Sequence, residues 1–115
     1  MYSERVRQLI YELPNSGTLD NKTHYAQREN PICDDMTRLE LRVEAGRVRE
    51  CRFKTRGCPG AIASAAAISA LCLDLTVEEC LALTAADLLD NLQGLPRHKH
   101  HGAILAIETL QAALK

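Results

Sequence analysis

The sequence predicts a single α+β domain over residues 1–115, a small antiparallel sheet of two or three strands with helices packed on one face, and three observations carry that reading. Between Thr37 and Thr55, apolar and charged residues alternate with period two on either side of Ala45-Gly46, as in an antiparallel hairpin with one buried face. From Pro59 onward the chain becomes alanine-rich and helical, with two capping patterns and a terminal amphipathic stretch. A length of 115 residues suits one hydrophobic core and is too short for two.

Taken in order, residues 2 to 12 place Val6, Leu9, Ile10 and Leu13 at helical spacing, with Ser3 as N-cap and Pro14-Asn15-Ser16-Gly17 as stop and turn. A strand is expected over Thr23 to Arg28. From Thr37, Leu39, Leu41 and Val43 alternate with Arg38, Glu40, Arg42 and Glu44, and the return strand, Arg47 to Thr55, sets Cys51 and Phe53 on one face. The charged face of that sheet is expected to meet solvent, leaving the other for helices. Pro59 suits a first helical position, and Ala61 to Leu73 offers Ile62, Ile68, Leu71 and Cys72 for packing. Thr76 with Glu79, and Thr84 with Asp87, read as capping boxes opening two short helices. Gly94-Leu95-Pro96 breaks the chain before a last helix from about Lys99 to Leu114 that buries Ala103, Ile107, Leu110 and Leu114.

A formal net charge of −1 supplies no field to attract nucleic acid or an anionic membrane. The first thirteen residues lack the apolar run of a signal peptide, no stretch is long and apolar enough to span a bilayer, and the protein is expected in the cytoplasm. Five cysteines, an odd number without a secretion signal, argue for reduced thiols, some of them metal ligands and some core residues. Cys51, Cys72 and Cys80 sit among apolar neighbours and read as core, where free cysteine acts as a small hydrophobe.

The remaining thiols fall in two of three separated polar corners. Cys58 follows a strand and precedes a helix, where backbone N–H groups and the helix dipole favour a thiolate; position alone leaves a ligand and an inert buried cysteine equally open. Cys33 and Asp35 are expected in a Pro-bounded loop before the first strong strand, from which residues two apart can converge on one ion, although an Asp34-Asp35 pair also suits a solvated turn. His98, His100 and His101, three of the four histidines, gather at the start of the last helix, as a solvated turn or as metal ligands.

Together, Asn30-Pro31-Ile32-Cys33-Asp34-Asp35, Gly57-Cys58-Pro59-Gly60-Ala61-Ile62-Ala63-Ser64 and Leu95-Pro96-Arg97-His98-Lys99-His100-His101-Gly102 resemble, in order and spacing, the iron-sulfur cluster assembly scaffolds of the IscU, SufU and N-terminal NifU family. Arg52 to Cys58 and Thr76 to Leu88 are similar to further family segments. Cys33, Asp35, Cys58, Lys99 and His101 fall on family positions, Asp34 replaces a glycine, and Gly102 stands where the third cysteine belongs. The resemblance implies a non-enzymatic scaffold: a cysteine desulfurase delivers sulfur, iron is added, and a labile 2Fe-2S cluster is built and handed to acceptor apo-proteins. It implies Cys33, Asp35, Cys58 and His101 as the shell of that transient cluster or of Zn²⁺. Two thiolates, a carboxylate and a neutral imidazole suit the charge of either cargo equally. Leu95 to Lys99 matches the family's chaperone-recognition segment only in part, so a chaperone interaction is not carried over. The alternative is a zinc-binding interaction protein of the same fold that no longer builds clusters. A zinc hydrolase would need an open coordination position and a general base, neither recognisable here. On ligand count alone, Gly102→Cys is expected to lengthen cluster lifetime.

Overall fold

The computed structural model describes residues 1–31 and 34–115; Ile32 and the expected ligand Cys33 lie outside the described residues. The first helix, α1 (Glu4–Glu12), is opened by Ser3, whose Oγ accepts the Val6 N–H at 3.1 Å and donates to the Leu92 carbonyl at 2.7 Å. Val6 and Leu9 are buried. Leu13, expected on the same face, instead takes a left-handed φ of 47° as the helix C-cap and is 40% exposed.

Three strands, β1 (His24–Asn30), β2 (Asp35–Glu44) and β3 (Arg47–Arg56), form an antiparallel sheet in that order. Leu39 opposes Phe53 and Leu41 opposes Cys51, which puts all four on the covered face. A register shift at Arg42/Val43 leaves Val43 only half-buried. The strand β2 begins two residues before the apolar alternation does, because Asn30 pairs with Asp35 across the β1–β2 ladder. Asp35 is therefore a buried strand residue, not a loop residue. Asp34 is the exposed turn residue, with φ of 55°, a left-handed conformation that aspartate tolerates better than most side chains. The outer edge of β3 is occupied by its own chain: Asn15 and Gly17 bond to the backbone of Phe53, and Asp74 and Leu75 bond to that of Val48.

The opposite sheet face departs from expectation at Glu40, which is only 3% exposed. The segment before β1 folds over it: the Leu19 N–H donates to Oε1 at 2.8 Å, Arg38 Nε donates to Oε2 at 2.8 Å, and Lys22 Nζ lies 3.8 Å away. Burial alone would push the carboxyl upward, but the Leu19 amide and the two cations outweigh it and hold Glu40 below its ordinary value of 4.5. A carboxylate so depressed stabilises the fold above its unfolded pKa, and that contribution is lost as pH falls through the lower folded value. Glu40→Gln should cost about 1–2 kcal/mol at neutral pH, and the gap to wild type in urea unfolding should close as pH drops below 4.5.

The helix α2 (Pro59–Leu71) carries Pro59 in its first turn and is buried nearly all round, as its run of alanines allows. Cys72 is its C-cap. Both capping boxes form: Thr76 opens α3 (Val77–Leu81) with Glu79, and Thr84 opens α4 (Ala85–Asn91) with Asp87. After a 3₁₀ turn at Arg97–Lys99, α5 (His100–Leu114) buries Ala103, Ile107, Leu110 and Leu114 as expected. Against one face of the sheet lie α2, packed on β3, and α5, packed across β1 and β2, and the two helices contact each other. No helix among the described residues is long and apolar enough to cross a membrane.

Cys51, Cys72 and Cys80 are core residues with no exposure. The Cys72 thiol is pushed up by its hydrogen bond with Cys51 and by burial, and Cys80 is pushed up to about 12, mainly by burial. The thiols of Cys72 and Cys80 therefore stay protonated and inert.

Candidate metal centre

The first residue of β2, the N-cap of α2 and the second residue of α5 meet at one end of the sheet. They are Asp35, Cys58 and His101, and one ligand atom from each lies within 4.8 Å of the others. His101 Nε2 is 3.0 Å from Asp35 Oδ2 and 3.9 Å from Cys58 Sγ. Asp35 is almost fully buried, whereas Cys58 and His101 are half-buried, so the cluster opens to solvent on their side.

Among the described residues Asp35 Oδ2 has no hydrogen-bond partner, although His101 Nε2 lies 3.0 Å away. Buried carboxylate oxygens without partners are costly, and a cation is the usual remedy. One sulfur, one nitrogen and one oxygen are the donors that Zn²⁺ accepts, with bonds of about 2.0–2.3 Å that set neighbouring tetrahedral donors roughly 3.5 Å apart. The three donors, now within 4.8 Å of one another, would draw together on such an ion, and the positive ends of α2 and α5 add a field complementary to anionic ligands.

Gly57 makes room for the carboxylate. Its φ is 148°, and a Cβ built on it would overlap Asp35 Oδ1. Sequence reasoning gave this glycine no role, although its place directly before the N-cap cysteine was the available signal. Cys33, two residues before Asp35, lies outside the described residues. Lys99 is the residue before α5, and its Cβ lies against Gly60 of α2. His100 is turned to its own chain, with Nε2 3.0 Å from the Leu95 carbonyl oxygen, and His98 is exposed on the 3₁₀ turn. Neither belongs to the three-atom cluster.

Gly102 is buried in the contact between the first turns of α2 and α5. A Cβ there would lie 2.8 Å from Ala61 N and 2.9 Å from Ala61 Cα, closer than real side chains approach backbone. The expectation that Gly102→Cys simply adds a ligand is thus corrected, because no side chain enters that position without moving one helix off the other.

The family model for the NifU-like N-terminal domain matches residues 1–115. This chain belongs to that family. Among the relatives of the NifU-like chain are a nitrogen fixation protein NifU of Trichormus azollae, 32% identical over 98% of this chain and 40% of its own length, and the iron-sulfur cluster assembly scaffold protein IscU of Escherichia coli, 34% identical over 98% and 91%. The chain thus spans well under half the length of the NifU relatives it matches. A crystal structure described as a putative iron-sulfur cluster assembly scaffold protein for the SUF system, from Fervidobacterium islandicum, superposes with a TM-score of 0.82 at 17% identity, covering 99% of this chain and 96% of that one. At that identity the likeness bears on the fold alone.

Proposed function

We propose that this NifU-like protein is a divergent iron-sulfur cluster assembly scaffold, a carrier and not a catalyst, which holds iron and sulfide as cargo for transfer to acceptor proteins. The observation that carries this reading is the convergence of Asp35, Cys58 and His101 around a buried carboxylate oxygen with no hydrogen-bond partner among the described residues. These residues hold the metal, and Cys33 supplies the second thiolate from the chain just before Asp35. The open side at Cys58 and His101 is where cargo enters and leaves. Sulfur comes from a cysteine desulfurase docked at this end of the sheet, and iron-sulfur centres accept imidazole in place of thiolate. The formal charge of −1 favours neither nucleic acid nor a membrane as a partner.

A zinc-binding interaction protein is the second reading, and the close backbone contact at Gly102 favours it, since a third thiol at that position would have to part the first turns of the two helices. Anaerobic reconstitution with ferrous iron, cysteine, a cysteine desulfurase and a thiol reductant, which supplies the electrons that turn the delivered sulfur into sulfide, separates the two. The scaffold reading expects iron and acid-labile sulfide in equal amounts, with the visible absorption of a 2Fe-2S centre, all lost in Cys58→Ser. Zinc retention with no bound sulfide under the same conditions replaces it with the second reading.

A further inference from the structure

We infer that Gly102 is a positioning residue of the metal centre: by lacking a side chain it lets the first turn of α5 rest on the backbone of α2, and this contact sets His101 against Cys58. The inference rests on the reading of Asp35, Cys58 and His101 as metal ligands. It changes what Gly102 means, from a ligand lost to a spacing gained.

The contact is reciprocal. A Cβ at Gly102 would meet Ala61 N, Ala61 Cα and Gly60 C at 2.8, 2.9 and 3.0 Å, and one at Gly60 would meet Lys99 Cβ at 3.2 Å and Lys99 O at 3.4 Å. Gly102 thus faces the first turn of α2, and Gly60 faces Lys99, the residue that leads into α5. The donors adjoin these glycines: His101 directly precedes Gly102, and Cys58 lies two residues before Gly60. Any separation of the two first turns is passed to the Sγ–Nε2 spacing, now 3.9 Å, with little chain between to absorb it. Backbone is the obstacle at Gly102, so a new side chain cannot be accommodated by a rotamer change alone. Metal coordination tolerates errors of only about 0.2 Å in bond length, less than the shift that a new Cβ demands.

The test is the affinity for Zn²⁺, measured by competition with a chromophoric chelator, together with the visible spectrum of the Co²⁺-substituted protein. Gly102→Ala neither adds nor removes a donor, and it should weaken zinc binding by about ten- to a hundredfold, the range for groups that orient ligands. Gly60→Ala, whose Cβ meets a side chain first, should do the same more weakly. Ala106→Val overfills α5 one turn farther along the same side and should keep affinity within about threefold of wild type even if it lowers stability. Gly102→Cys should bind no more tightly than wild type, and its Co²⁺ spectrum should show no added thiolate.

Wild-type affinity from Gly102→Ala and Gly60→Ala, or binding by Gly102→Cys more than tenfold tighter than wild type, would overturn the inference while leaving the ligand assignment intact. Equal losses in Gly102→Ala and Ala106→Val would reduce Gly102 to a packing residue and overturn it too. Failure of wild type itself to bind zinc would remove the metal-centre reading on which it stands.

Discussion

Gly57→Ala should abolish tight metal binding and lower stability by about 2–4 kcal/mol, the sum expected from forcing alanine into a positive φ and overfilling a closed contact. For a chain of this size that is a fall of roughly 10 °C or more in Tm. The two effects have separate origins. At φ of 148° the backbone strain is paid whatever the space, whereas the metal effect arises because the new methyl would occupy the place of Asp35 Oδ1 and turn the carboxylate out of the cluster. Asp35→Asn in the wild-type background distinguishes them: it should lose metal without the backbone strain. Calorimetry and zinc titration of both variants check the outcome, and a Gly57→Ala protein that binds zinc like wild type would mean that Asp35 is not held as described.

Cys58→Ser and His101→Ala should each reduce zinc affinity by at least a hundredfold, because removing a donor exceeds the ten- to hundredfold effect of disturbing the groups behind one. Both residues are half-buried at helix starts, so the folded state should survive and circular dichroism should be unchanged. His101→Ala also removes the imidazole nitrogen 3.0 Å from the buried Asp35 Oδ2, and some loss of stability is expected there that Cys58→Ser does not share. Elemental analysis of the purified, folded proteins gives the answer. Retention of one zinc per chain by both would show that the ion sits elsewhere.

Local patterns were sufficient where the physics was local. Thr76 and Thr84 declared their helices because a capping box is satisfied within four residues, and the period-two run around Ala45-Gly46 declared its hairpin. Cys58 and His101 could be placed at helix starts for the same reason. Asp35 could not be placed in a strand, since its inclusion depends on pairing with Asn30 and not on any preference of aspartate. Glu40 looked solvated because the Leu19 amide that covers it belongs to another segment. The glycines were least legible. What Gly57 and Gly102 contribute is the nearness of Asp35 and of the α2 backbone, which a missing side chain does not advertise.

The sheet has two rims, and only one is open to strand addition. Along β3, the hydrogen-bonding groups of Phe53 and Val48 are taken up by Asn15, Gly17, Asp74 and Leu75. The outer rim of β1 carries no such covering strand among the described residues, but Gln27, Arg28 and Glu29 are exposed there, a run of polar and charged side chains that resists stacking of one molecule on another. A neighbour could recruit this sheet only through its most hydrophilic strand. The protein can thus expose a reactive centre at one end while its sheet gives fibrillar self-association little to build on.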